Sequence, residues 1–141
     1  MSININIKRT LDDEFVSDVL ITAFDGSVGA CWYWAEWSDG LTPALVANNV
    51  DTGHSQRKEW TCCFITEREE PGVYGSKTLY AVAGETIEQG IQRILNDDTL
   101  ITPYIRQYVL TAVLEGDAGE IDAEAADCIV QIGLFNKIVF G

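Results

Sequence analysis

Positive charge is scarce in this chain. Nine Lys and Arg face 22 Asp and Glu, a net charge of −13 over 141 residues. Sequence-independent binding to DNA or RNA works by neutralising phosphates with Lys and Arg, so that class is excluded. Docking on an anionic membrane surface is excluded for the same reason. The balance favours solubility and steers the protein toward basic partners. Histidine is rarer still: His54 is the only one, too few for a His-rich transition-metal site. The four cysteines, Cys31, Cys62, Cys63 and Cys128, have neither CxxC nor zinc-finger spacing. On a strand, Cys62 and Cys63 point to opposite faces and make poor joint ligands. They read as reduced, buried thiols, which fits a cytoplasmic protein. No signal peptide is recognisable, and no apolar run approaches the ~18 residues of a membrane span.

What the chain does have is apolar content. The hydrophobic fraction is 47%, ordinary for a globular protein. The length fits a single domain, 1–141, and a chain of this size buries roughly two thirds of its unfolded surface. It needs no metal, cofactor or disulfide to fold.

Elements follow from periodicity. Ile3, Ile5 and Ile7 alternate with polar residues as in a half-buried strand. Thr10 opens a helix with Asp12, Asp13 and Glu14 in its first turn. Phe15, Val16, Val19, Leu20, Ala23 and Phe24 form its apolar stripe, and Gly26 is its left-handed stop. Ser38-Asp39-Gly40 reads as a turn, and residues 41–55 are irregular. Residues 57–67 and 77–83 suggest an antiparallel hairpin, with Trp60, Cys62, Phe64 and Thr66 on one side of its first strand.

Helices dominate the remainder. Thr86-Ile87-Glu88-Gln89 has the capping-box pattern, ahead of a stripe of Ile87, Ile91, Ile94 and Leu95. Pro103 after Thr102 starts the next helix, with Ile105, Val109, Leu110, Val113 and Leu114 inward and Gly116 as its stop. Asp122 caps a last helix through Ala126, Ile129, Val130 and Leu134, and Ile138–Phe140 reads as a final short strand. Early strands and late helices predict an α+β fold: a small antiparallel sheet packed against three to four helices.

One tract stands out. Gly26 and Gly29 lead into Cys31-Trp32-Tyr33-Trp34-Ala35-Glu36-Trp37. Extended geometry puts Cys31, Tyr33 and Ala35 on one face and Trp32, Trp34 and Glu36 on the other. Aromatic faces stack on flat ligands, and glycines let a backbone approach closely. The same side chains also suit a core or an interface. The candidate ligand-binding residues are therefore Gly26, Gly29, Trp32, Trp34 and Trp37, with core, interface and pocket open as uses. A phosphate loop is ruled out, because these glycines follow a helix rather than precede one. No catalytic residue is assigned. His54 lies among polar loop residues; Asp51 and Ser55 are near it in sequence, but nothing in the pattern fixes a placed nucleophile or an oriented base. The acids Glu115, Asp117, Glu120, Asp122, Glu124 and Asp127 lack EF-hand spacing. They form a solvated loop and helix start, a docking surface for a basic partner, or a divalent-ion site.

Three segments carry a resemblance. Asp18 to Gly26 leading to Trp32-Tyr33-Trp34, Gly84 to Ile87 with Gly90 and Ile94, and Asp122 to Phe135 resemble small actinobacteriophage accessory proteins. Those proteins carry "TALEGG…YW" and "D…AD.iVQ.alFG" type segments. Here Asp25 stands where a Glu is usual, and a Val28-containing insertion separates the glycines from the aromatics. The resemblance implies a phage-encoded accessory protein in the bacterial host cytoplasm, with no chemistry to carry over. The expected function is non-enzymatic binding: sequestering a small, nucleotide-like ligand, or occluding a host or defence protein. Alternatives are an acidic DNA mimic, a virion or assembly component built as a homo-oligomer, and a small hydrolase.

Overall fold

The computed structural model describes residues 11–25, 29–37, 44–45, 60–69, 72–75 and 78–141. The Ile3/Ile5/Ile7 strand, Thr10, Gly26, the Ser38–Gly40 turn and His54 lie outside them. The fold is α+β, as the sequence predicts.

Helix α1 is Asp13–Phe24. Its N-cap is Asp12, whose carboxylate accepts the Phe15 N–H at 2.8 Å. All six residues of the expected stripe are buried. The sheet follows in four segments: β1, Ala35–Trp37; β2, Ala44–Leu45; β3, Trp60–Glu67; and β4, Tyr80–Ala83. All pairings are antiparallel, and β3 is central. On one side β4 pairs with it from Ile65–Tyr80 to Cys62–Ala83. On the other side β1 covers its end (Ala35–Glu67) and β2 its start (Leu45–Trp60), so the sheet is three strands across. The predicted hairpin therefore forms. Trp60, Cys62, Phe64 and Thr66 share a half-buried face, while Cys63, Ile65 and Glu67 enter the core. Helix α1 packs on β3, and the Ser17 hydroxyl, fully buried, accepts the Trp60 N–H at 2.8 Å.

Three more helices complete the core: α2, Gly84–Asn96; α3, Pro103–Glu115; and α4, Ala123–Phe135. Thr86 does not cap α2 from outside. It sits at the third helical position and its hydroxyl accepts from the Ala83 N–H at 3.2 Å, so the helix starts three residues earlier than the pattern suggests. Thr102 precedes α3, Pro103 begins it, and Gly116 ends it at φ 68°. Leu114 is 56% exposed rather than inward. Asp122 caps α4 by accepting the Ala125 N–H at 2.8 Å.

Helices α2 and α4 meet through glycine. A Cβ on Gly90 would lie 2.2 Å from the Ile129 carbonyl oxygen, and one on Gly133 would lie 2.3 Å from that of Thr86. Each helix gives up a side chain so that the other's backbone can approach. Two arginines close helix ends from neighbouring helices. Arg93 donates to the Ile132 carbonyl at 3.0 Å, and Arg106 donates to Leu95 at 2.6 Å. No strand forms at Ile138–Phe140; a side chain takes the place of a partner strand there, as described next.

Candidate functional site

The tryptophan tract begins as a turn, not a strand. After α1 the chain doubles back, and Ala30 and Cys31 donate N–H groups to the carbonyls of Thr22 and Ala23. These are carbonyls that the helix end leaves unsatisfied. Gly29 permits this return: a Cβ there would sit 2.8 Å from the Ala23 carbonyl oxygen. The N–H groups of Trp34 and Ala35 both point to the Cys31 carbonyl, and only Ala35–Trp37 pair as strand. A turn has helical rather than alternating spacing. Cys31, Trp34 and Ala35 are therefore buried together, Trp32 is half-buried, and Tyr33 is 53% exposed. The expected two-faced strand over residues 31–36 is corrected accordingly.

Trp34 is a core residue. Its ring stacks on Phe140 (centroids 4.9 Å apart, planes 4° apart) and meets Phe135 edge-on at 5.8 Å. Trp32 packs edge-on against Phe24 at 5.7 Å. The Trp37 side chain and Gly26 lie outside the described residues. Of the five candidate residues, the structure describes three in full: Gly29 at the turn, Trp32 half-buried and Trp34 in the core. Gly29 and Trp34 shape and fill the interior.

Sequence reasoning missed the acceptor beneath them. Asp127 of α4 accepts from Trp34 Nε1 at 2.9 Å, Gln131 Nε2 at 2.9 Å, Tyr33 Oη at 2.5 Å and Cys31 Sγ at 3.5 Å. A carboxylate with four donors is an anchor. Gln131, buried to 1% exposure, completes the network. Its Oε1 accepts the N–H groups of Val139 and Phe140 at 2.9 and 2.8 Å, and its Nε2 donates to the Phe140 carbonyl at 3.1 Å. One carboxamide thus does for residues 139–140 what a neighbouring strand would do.

A second acid lies at the other end of the same aromatic cluster. Glu67, 2% exposed, accepts from the Tyr80 hydroxyl and, at 2.7 Å, from the Val73 N–H. Phe135 joins the two ends, meeting Tyr80 edge-on at 5.5 Å. Both tyrosine hydroxyls are pushed above their ordinary range, by burial first and then by the carboxylates they donate to. The thiols behave alike. Burial raises Cys31, Cys63 and Cys128, the last to about 12, so all three are protonated at neutral pH and poor nucleophiles.

The acidic stretch does build a concavity. A cleft of about 340 Å³ lies between the start of α1 and the α3–α4 connection. Asp12, Glu14, Asp18, Glu115 and Asp117 line it, with Phe15 and Ala118. Asp12 and Asp117 also accept the N–H groups of Phe15 and Gly119. Among the described residues no group of three His, Cys, Asp or Glu is arranged to hold a metal ion. No described helix is long and apolar enough to cross a membrane. Among known proteins, no family model, curated protein or solved structure gives a significant match to this chain.

Proposed function

We propose that this chain is a non-enzymatic binding protein that holds a basic segment of a partner protein in its acidic cleft. The observation that carries this reading is the five-carboxylate cleft between α1 and the α3–α4 connection. Its volume matches the smaller ligand sites, but such sites are mostly apolar and this one is lined chiefly by acids. That favours an ammonium or guanidinium group over a flat, nucleotide-like ligand. The net charge of −13 would speed the encounter. A phage-encoded accessory protein occluding a host protein is the setting we favour, resting on the resemblance of the tract, the middle helix and the last helix. A nucleic-acid-binding protein is one partner of this chemistry.

The test uses a lysine-rich peptide as probe. The triple variant Glu14→Gln, Asp18→Asn, Glu115→Gln is compared with an equally neutralised control, Glu85→Gln, Glu88→Gln, Asp98→Asn. Binding measured by calorimetry should fall about tenfold or more in the cleft variant and steeply with salt. Equal losses in both variants would reduce the effect to net charge and sink the reading.

A further inference from the structure

Helix α3 lacks the charged outer face that a surface helix ordinarily carries. From Thr99 to Leu114 the one charged side chain is Arg106, and it reaches back to the end of α2, donating to the Ile94 carbonyl at 3.1 Å and to that of Leu95 at 2.6 Å. Ile105, Val109, Ala112 and Val113 are buried in the core. The opposite side presents Tyr104 (51% exposed), Tyr108 (37%) and Leu114 (56%). Helical spacing puts Tyr104, Tyr108, Thr111 and Glu115 in one line. The two tyrosine rings meet edge-on at 5.9 Å. The polar groups of this face are already engaged: Gln107 Nε2 donates to Thr111 Oγ1 at 3.2 Å, and Tyr104 Oη donates to Glu124 at 3.1 Å.

Acids stand at both ends of the face. Glu124 is bonded to Tyr104 at one end, and Glu115 at the other is a wall of the acidic cleft, beside Asp117. Eleven residues separate Tyr104 from Glu115, about 16 Å along the helix axis. An uncharged, aromatic centre with a charged rim is the layout of a protein interface. A second copy of this chain does not suit it, because both rims would be acidic and each copy carries −13.

We infer that the face of Tyr104, Tyr108 and Leu114 docks an amphipathic helix of the partner protein, its apolar stripe flanked by Lys or Arg about three turns apart. The stripe covers the tyrosines, one base enters the cleft beside Glu115, and the other meets Glu124. A helix laid along α3 matches its three- and four-residue spacing. An extended segment would cross the same length in about five residues and turn every second side chain away. The inference rests on the cleft reading for the sign of the partner's charge. It adds the apolar half of the partner, which carboxylates alone cannot recognise.

NMR titration of the full chain with two peptides tests this. Both are about 18 residues of Ala, Leu and Lys with the same composition. In the first, leucines recur at three- and four-residue spacing between lysines about eleven apart; in the second, the order is scrambled so that no stripe forms. The first should bind about tenfold or more tighter, shifting the amides of 104–115 together with those of the cleft. Tyr104→Ala and Leu114→Ala should each remove severalfold of that preference, while Tyr74→Ala, an exposed tyrosine off this helix, leaves it unchanged. Equal affinity for the two peptides, or shifts that spare 104–114, would overturn the inference and leave the cleft reading intact. If the first peptide binds the triple cleft variant as tightly as the unaltered protein, the cleft reading fails while docking on α3 stands.

Discussion

The indole Nε1 of Trp34 donates to the Asp127 carboxylate at 2.9 Å, across 93 residues of chain. This bond ties the turn after α1 to the middle of α4. It also gives the most prominent aromatic of the tract a buried, fully partnered place. Removing either side should therefore be costly. Trp34→Ala should destabilise by about 3–5 kcal/mol, as a large buried aromatic does. Asp127→Ala, which takes the acceptor from the buried Trp34 indole N–H, should cost about 2–4 kcal/mol. Trp32→Ala, at a half-buried position, should cost clearly less than Trp34→Ala. Urea unfolding orders the three, and equal costs for the two tryptophans would contradict the placement.

The glycine contacts between α2 and α4 make a sharper comparison. Gly90→Ala and Gly133→Ala put a methyl within 2.2–2.3 Å of a backbone oxygen, so the helices must separate. Each should lose about 2–3 kcal/mol despite the better helix propensity of alanine. Gly84→Ala meets nothing nearer than a Val16 methyl at 3.9 Å. It should stabilise by a few tenths of a kcal/mol, up to about 1. Melting temperatures moving in the same direction for all three would remove the close-approach explanation.

Gln131 should act as the clasp of residues 138–140. Gln131→Leu keeps the volume but loses every hydrogen bond to Val139, Phe140 and Asp127. Hydrogen exchange at Val139 and Phe140 should rise by about tenfold or more, with less change in α2. Trp34 fluorescence should shift as Phe140 leaves its ring. Protected amides at 139–140 in this variant would mean that the side chain is not what holds them.

Alkaline stability follows from the tyrosines bonded to carboxylates and from the buried thiols. Tyr33 and Tyr80 titrate above the ordinary 10.0, chiefly through burial, and Cys31, Cys63 and Cys128 above 9.0 for the same reason. Once the unfolded chain releases these protons, the native state still holds them. Native protein then binds more protons than unfolded protein, so stability falls as pH rises beyond about 9 and is fully present below it. Urea midpoints should be level near pH 8 and decline toward about pH 11, less steeply in Tyr80→Phe. A midpoint constant across that range would refute the assignment.

Glu115 should trade stability for binding. It ends α3 at the negative pole of the helix dipole, beside Gly116 and Asp117 in the cleft. Glu115→Gln should raise stability by about 0.3–1 kcal/mol. It should also weaken capture of the lysine-rich peptide. A variant that loses stability, or binds the peptide as before, would count against the cleft.

The sequence by itself determined the helices, their inward stripes and most of their ends. Phe15 to Phe24 and Ile87 to Leu95 are buried as their spacing requires, and Gly116 and Asp122 bound their helices as their chemistry requires. Periodicity and capping are local properties, decided within one or two turns of chain. The hairpin was legible for the same reason. The tertiary structure alone decided where Trp34 goes. Whether Trp34 faces ligand or core depends on Asp127, Phe135 and Phe140, roughly a hundred residues away, and the bend at Gly29 replaced alternation with helical spacing. Gln131 reads as one more polar residue on a helix until the fold brings residues 139–140 to it.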